Sequence, residues 1–117
     1  MITQADIALN PGMPPELVGQ LQSLGRVAVA ERRIAPGTRI YACMAETAVD
    51  ARLIDRLPPS VELIAIAGAD TGRVDLEAAR ARGIKVSHTP AAAASMALSL
   101  KANIAAFLDR GLPLNRI

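Results

Sequence analysis

Val61-Glu62-Leu63-Ile64-Ala65-Ile66-Ala67 is the stretch of this sequence that decides its fold. A nearly continuous apolar run of this length, rich in isoleucine and leucine, is typical of a strand that is buried on both of its faces. Strands of that kind lie inside parallel sheets that carry helices on both sides. We therefore expect residues 61–67 to form the central strand of such a sheet.

On either side of this run, short β-type segments alternate with segments of helical periodicity. The other predicted strands are residues 6–10, 26–30, 39–44 and 84–88, and the predicted helices begin near residues 14, 47, 76 and 91. This alternation is typical of α/β folds. It predicts a flavodoxin-like doubly wound sheet of five parallel strands in the order 2-1-3-4-5, with helices on both faces and a long C-terminal crossover helix.

Local signals predict where three of the helices begin or end. Thr47-Ala48-Val49-Asp50 matches a capping box, in which Thr47 would cap the second helix. Asp75 is expected to cap the third helix and Gly83 to end it. Gly25 is expected to end the first helix in a left-handed conformation.

The composition excludes several classes of protein. The chain has 117 residues, of which 51% are hydrophobic and only 2% aromatic, so one core of Ala, Leu, Ile and Val side chains is expected. Its net charge is +2, with both signs scattered, which gives no indication of a nucleic-acid partner. The single Cys43 lies in an apolar run and is interpreted as a buried free thiol in a reducing cytoplasm.

The N-terminal residues lack the pattern of a secretory signal. Residues 91–108 approach membrane-spanning length, but they contain Lys101 and Asn103 and consist largely of alanine, which inserts weakly. We interpret them as a helix that packs on protein, and we expect no membrane partner.

Ligands of open parallel sheets collect beyond the carboxyl ends of the strands. The loop Gly68-Ala69-Asp70-Thr71-Gly72-Arg73 follows the central strand, and its small residues would let backbone N–H groups approach an anion. An ordinary strand-to-helix connection remains the alternative. Arg73 could attract an anionic substrate or pair with Asp70.

The remaining candidates for chemistry are weaker. His88 is the single histidine, and no carboxylate neighbours it in sequence, which favours a hydrogen-bonding role over acid–base catalysis. One histidine and one cysteine do not make a metal site. Neither a G-x-G-x-x-G nor a P-loop pattern occurs, so no nucleotide cofactor is expected to bind to this chain alone.

From Leu57 to about Asp109 the sequence resembles the D-isomer-specific 2-hydroxyacid dehydrogenases. The resemblance is carried by residues 63–68, by the segment from Val74 to Val86, which reads V-D-L-E-A-A-R-A-R-G-I-K-V, and by His88-Thr89-Pro90. It implies a substrate-binding lobe whose loop after the fourth strand presents backbone amides to the substrate carboxylate. By position these amides belong to Gly68, Ala69 and Asp70.

The resemblance also implies what this chain would lack. The family uses NAD or NADP, and its catalytic Arg, Glu and His lie in the nucleotide-binding domain, so we expect no catalytic residue here and no activity from this chain alone. Residues 1–90 would form the substrate-binding lobe for a small 2-hydroxy or 2-keto acid. Residues 91–117 would form the crossover helix and the start of a link to an NAD-binding domain, before which the chain would be truncated.

Two differences from the family pattern concern the candidate site. Asp70 stands where the family usually has a second glycine, and its carboxylate would repel an anionic substrate unless Arg73 neutralised it. The Asp-Asn pair that usually follows is Gly72-Arg73.

A second hypothesis is a non-catalytic flavodoxin-like module that interacts with partners through its last helix. Residues 91–108 are apolar around most of the predicted helix, so homo-oligomerisation through them is expected. Aspartate at Leu98 or at Leu100 would test that association.

Overall fold

The structure is a computed structural model that describes residues 5–29, 34–90 and 95–117. Strands and helices follow each other along the chain as the sequence predicts, and among the described residues no helix lies between the second and third strands. In order they are β1 (Ala5–Leu9), α1 (Pro15–Leu21), β2 (Gly25–Val29), β3 (Ile40–Met44), α2 (Ala51–Arg56), β4 (Leu63–Ala67), α3 (Leu76–Ala81), β5 (Lys85–Ser87) and α4 (Met96–Arg110).

The five strands form one parallel sheet in the order β2-β1-β3-β4-β5, which confirms the predicted topology. Strand β4 lies between β3 and β5, with Leu63 opposite Ile40 on one side and opposite Lys85 on the other. All five residues of β4 are buried, as expected from its unbroken apolar run. The carboxyl ends of β1, β3, β4 and β5 therefore meet at one edge of the sheet.

The core has two halves, one on each face of the sheet. On one face Leu63, Ala65 and Ala67 pack with α1 and α4. On the other face Ile64 and Ile66 pack with α2 and α3. Successive side chains of a strand point to opposite faces, so a strand between two helical layers must be apolar at every position.

Helix α2 begins later than predicted, because Asp50 and not Thr47 caps it. The Asp50 carboxylate accepts a hydrogen bond from the Leu53 amide at 2.9 Å. Residues before it are held in extended structure, since the Val49 amide donates to the Arg73 carbonyl at 2.9 Å. The prediction for Asp75 is confirmed, because its carboxylate accepts from the Ala78 amide at 3.0 Å.

Two glycines predicted to end helices behave differently. Gly83 follows α3 with a φ of +71°, as expected of a left-handed stop. Gly25 belongs instead to β2, where it lies opposite Ala5, and α1 has already ended at Leu21. The prediction for Gly25 was wrong because pairing with β1 extends the strand back to this residue.

Helix α4 packs onto the same core as the rest of the chain. Leu100, Ile104 and Phe107 are buried among residues of α1 and β4. The predicted start of this helix at residues 91–94 lies outside the described residues. Its end is defined by Gly111, which has a φ of +80° and donates its amide to the Phe107 carbonyl. None of the helices in the described ranges is long and apolar enough to cross a bilayer.

Beyond α4, the last residues cover the outer edge of β5. Arg116 forms an antiparallel bridge with Ser87. The His88 amide donates to the Asn115 carbonyl at 3.1 Å, and the Ile117 amide donates to the Val86 carbonyl at 2.9 Å. This segment, residues 115–117, is called the tail below. It satisfies backbone groups that an exposed edge strand would leave to water.

Cys43 in β3 is fully buried, as the sequence predicts, and burial raises the pKa of its thiol to about 12. The thiol of an unfolded chain ionises near pH 8.5, so the stability due to the neutral native thiol is present below that pH and is lost as the pH rises toward 12. We expect the free energy of unfolding to fall by about 2 kcal/mol between pH 8.5 and pH 10.

Urea denaturation at pH 8.5 and pH 10 would measure this fall, with Cys43→Ala as the control. The alanine variant is expected to be less stable at both values but to lose much less between them. An equal loss in the two proteins would contradict the assignment to Cys43.

Candidate functional site

The carboxyl edge of the sheet brings together the loops that follow β1, β3, β4 and β5. Asn10 follows β1, and its side-chain amide donates to the Tyr41 hydroxyl at 3.0 Å. The Thr47 hydroxyl lies 3.5 Å from the Asn10 side-chain oxygen, to which it donates. These side chains lie between β1 and β3, where the direction of strand order reverses and doubly wound sheets commonly bind ligands.

Gly68 directly follows β4 and lies against the loop that follows β3. Its φ is +139°, a conformation that side chains strongly disfavour. An ideal Cβ built on Gly68 would lie 2.6 Å from the Cβ of Ala45, which is too close for two carbon atoms. The absence of a side chain at Gly68 therefore lets the two loops approach each other.

The loop after β4 uses only part of its hydrogen-bonding capacity internally. The Gly72 amide donates to the Asp70 carboxylate at 2.8 Å, and the Val74 amide donates to the Thr71 carbonyl at 3.1 Å. Among the described residues no hydrogen bond uses the N–H groups of Gly68, Ala69 or Asp70. Ala69 and Asp70 are exposed and Gly68 is half-buried. Within the part of the chain that the structure describes, three consecutive backbone donors at this edge therefore have no internal partner.

Asp70 and Arg73 are both exposed, and the pairing that the sequence left open is not formed. No ion pair joins the two side chains in the described part of the chain. The Asp70 carboxylate instead accepts from the Gly72 amide, which closes a local turn. Arg73 thus leaves a positive charge, and Asp70 a negative one, on the same loop.

His88 and Thr89 tie the end of β5 to this loop. The His88 Nδ1 atom lies 3.3 Å from the Ala69 carbonyl, to which it can donate. The Thr89 amide donates to the Gly68 carbonyl at 2.8 Å, and its hydroxyl donates to the Ile66 carbonyl at 2.9 Å. His88 therefore has the hydrogen-bonding role that the sequence favours.

Sequence reasoning missed Asn103, which lies on the buried face of α4 and is fully buried. Its side-chain amide donates to the His88 carbonyl at 3.0 Å, and its side-chain oxygen accepts from the Asn115 amide at 2.7 Å. One signal was present, because Asn103 falls in helical register with the apolar residues Leu100 and Phe107. A polar side chain at such a position must find partners inside the protein.

A groove of about 460 Å³ lies elsewhere, beside α3 and the beginning of β5. Arg80, Lys85 and Arg116 line it over apolar side chains. Because ligands of parallel sheets collect at the carboxyl ends of the strands, this groove at the outer side of β5 is not the candidate site.

The described residues do not fit a dinucleotide or a metal ion. A dinucleotide pyrophosphate is usually bound by the amides of the first helix N-terminus. Here Pro14 and Pro15 occupy that terminus and supply no N–H groups. In residues 5–29, 34–90 and 95–117, no three His, Cys, Asp or Glu side chains cluster as metal ligands would.

Comparison with known proteins agrees with this architecture. The family model of the D-isomer specific 2-hydroxyacid dehydrogenase catalytic domain matches residues 30–97. A Schizosaccharomyces pombe protein assigned by name to the 2-hydroxyacid dehydrogenases is 54% identical over 43 residues, which cover 37% of this chain and 13% of that protein.

Solved structures extend the likeness. One of them is an NADPH-dependent glyoxylate/hydroxypyruvate reductase from Sinorhizobium meliloti in complex with citrate. It is 25% identical to this chain with a TM-score of 0.66, and the match covers 75% of this chain and 29% of the reductase chain. The 2-hydroxyacid dehydrogenase of Ketogulonicigenium vulgare has the same fold, with 24% identity and a TM-score of 0.66. The match covers 99% of this chain and 45% of the dehydrogenase chain.

The chain thus spans less than half the length of each of these relatives. The family match nevertheless covers more than half of the 117 residues. It includes β3, β4, β5 and the candidate loop between β4 and α3. This chain therefore belongs to the D-isomer specific 2-hydroxyacid dehydrogenases and corresponds to their catalytic domain.

Proposed function

We propose that this chain is the substrate-binding lobe of an NAD- or NADP-dependent oxidoreductase that acts on the CH–OH group of a small D-2-hydroxy acid. The observation that carries the proposal is the row of N–H groups at Gly68, Ala69 and Asp70, which have no hydrogen-bond partner among the described residues. A carboxylate is bound most effectively by several donors at once, and small residues leave the donors accessible.

Arg73 and Asp70 would adjust the affinity of this loop in opposite directions. Arg73 is exposed, and its positive charge attracts an anion. The Asp70 carboxylate repels an anion, although its bond to the Gly72 amide turns it toward its own loop. The loop would therefore bind a small acid only weakly by itself. Its main contribution would be to orient the acid.

The relatives support the substrate class and the cofactor. The reductase from Sinorhizobium meliloti is NADPH-dependent and is described in complex with citrate, which is itself a carboxylic acid. Because the described residues do not fit a dinucleotide, NAD or NADP would be held by a second domain. By the family resemblance, the same domain would supply the catalytic side chains. Residues 91–117 would lead to it, with α4 as the crossover helix. We infer that the lobe is inactive alone.

The test is a titration of the isotope-labelled chain with pyruvate, followed by amide NMR. We expect the largest concentration-dependent shifts at Gly68, Ala69 and Asp70, and none with the neutral analogue isobutyramide. Shifts confined to the groove lined by Arg80 and Lys85 would contradict the assignment. Shifts spread evenly over the basic surface would contradict it as well.

Substitutions at the two loop charges are expected to change pyruvate affinity in opposite directions. Asp70→Asn keeps an oxygen that can accept from the Gly72 amide but removes the negative charge. At a separation of about 6 Å in water one charge contributes about 0.7 kcal/mol, so affinity should rise about threefold. Arg73→Gln should lower it by a similar factor.

The dissociation constants of the two variants should approach each other as salt is added, since screening weakens both effects. Glu77→Gln on α3 is the matched control for a change of charge outside the loop. A change in the same direction for Asp70→Asn and Arg73→Gln would contradict the electrostatic explanation.

A non-catalytic module that self-associates through residues 91–108 is the second candidate. The observation that favours it is Leu98 on α4, whose exposed fraction is 61%. Enzymatic activity of a longer chain containing a cofactor domain would decide for the dehydrogenase.

A cytoplasmic location also stays a prediction, motivated by the unpaired thiol of Cys43.

A further inference from the structure

A continuous line of hydrogen bonds connects the tail to the loop after β4, and the buried side chain of Asn103 lies at its centre. The Asn115 amide donates to the Asn103 oxygen at 2.7 Å. The Asn103 amide group donates to the His88 carbonyl at 3.0 Å and approaches the Asn115 side-chain oxygen at 3.3 Å. The His88 ring then reaches the Ala69 carbonyl at 3.3 Å.

Each of these contacts joins parts of the chain that are distant in sequence. Asn103 lies in α4, Asn115 in the tail, His88 after β5 and Ala69 after β4. The His88 backbone is held from two sides, because its amide donates to the Asn115 carbonyl while its own carbonyl accepts from Asn103. The position of the His88 ring therefore depends on both α4 and the tail.

The carboxamide of Asn103 suits this place. A carboxamide both donates and accepts, and here both of its ends are used. Aspartate would have no donor for the His88 carbonyl, and leucine would leave the His88 carbonyl and the Asn115 amide without their present partner. Because the Asn103 side chain is itself fully buried, water has limited access to these bonds.

We propose that Asn103 is a positioning residue that couples docking of the tail to the arrangement of the Gly68, Ala69 and Asp70 amides, acting through His88. The binding of an acid by those amides rests on the proposed function, but the coupling itself does not. Whatever displaces the tail from β5 would loosen the loop. Conversely, an acid bound at the loop would tighten the tail, because coupling between two sites is reciprocal.

The test compares Asn103→Ala with Ser87→Ala in the ligand-free chain. Ser87 is equally buried and lies next to His88, but its hydroxyl has no hydrogen-bond partner among the described residues, so it is a matched control outside the line of bonds. We expect Asn103→Ala to accelerate amide exchange at His88 and Ile117 at least tenfold. The NMR order parameter of the Ala69 amide should fall in the same variant, and Ser87→Ala should change neither.

A general loss of stability would also accelerate amide exchange. Exchange at the amides of β4 distinguishes such a general loss from a local release of the tail. If Ile64 and Ile66 exchange faster by the same factor as His88, Asn103 is only structural and the proposal is overturned. It is equally overturned if the Ala69 order parameter is unchanged while the tail is released.

If Asn103→Ala does not fold, His88→Ala serves instead, because it removes only the last bond of the line. We expect it to lower the order parameter of the Ala69 amide and to accelerate exchange at Ile117 by less than the tenfold expected for Asn103→Ala, because the tail keeps its bonds to Asn103 and to β5. A tenfold or greater acceleration at Ile117, or an unchanged order parameter, would overturn the proposal.

The proposed function is tested separately from this coupling. Failure of the wild-type chain to bind pyruvate would contradict the substrate site and leave the exchange results standing. Unchanged exchange and order in Asn103→Ala, with normal pyruvate binding by the wild-type chain, would contradict the coupling alone.

Discussion

Replacing Gly68 with alanine should destabilise the fold by about 3 kcal/mol and abolish the acid binding that we propose for the loop. The φ of +139° at this position is one that alanine cannot adopt without strain. The added Cβ would also lie 2.6 Å from the Cβ of Ala45, so the loops after β3 and β4 would have to separate. Displacement of the loop would carry the Ala69 and Asp70 amides away from their present arrangement.

Gly19→Ala is the matched control. Gly19 lies inside α1, and an added Cβ would have no neighbour within 4 Å, so alanine there should stabilise the helix by about 0.5–1 kcal/mol. Urea denaturation would measure both variants, and pyruvate titration would measure the loop. A Gly68→Ala protein as stable as the wild type would show that the close approach to Ala45 is not required.

Leu100→Asp should prevent stable folding, with a loss of about 4 kcal/mol or more. Leu100 is fully buried between the sheet and α1, so its replacement places a carboxylate in an apolar core. From the sequence, Leu98 and Leu100 were both proposed as positions for testing self-association. Leu100 is unsuitable for that test, because its side chain lies in the core of its own chain.

Leu98→Asp is the informative partner of this variant. Leu98 is 61% exposed, so the substitution should change the free energy of unfolding by no more than about 0.5 kcal/mol. Circular dichroism and thermal unfolding would compare the two proteins. Loss of folding in Leu98→Asp, or a stable Leu100→Asp, would contradict the packing of α4. Light scattering on Leu98→Asp would in addition test the predicted association through residues 91–108.

Much of the architecture could be predicted because it follows from local patterns. The apolar run of β4 indicates burial on both faces, and the alternation of strands and helices indicates a parallel sheet. Short right-handed connections then leave few possible strand orders. Asp75 and Gly83 were located correctly because a cap and a left-handed stop depend on a few adjacent residues.

The errors arose where a distant segment competes for a backbone group. Thr47 does not cap α2, because Val49, two residues later, is held in extended structure by its pairing with the loop before α3. Gly25 was assigned to a helix end although pairing with β1 makes it part of a strand. In both cases a hydrogen bond to a remote residue outweighed a local preference.

By itself, the sequence determined the sheet and its central strand, and it predicted the loop from Gly68 to Arg73 as the acid-binding site that we propose. Tertiary structure alone decided that Asp70 turns to Gly72 instead of Arg73, that Gly68 touches Ala45, and that Asn103 joins the tail to His88. The physical reason is that periodicity records how much of each residue is buried, whereas hydrogen-bond partners depend on which distant segments meet in space.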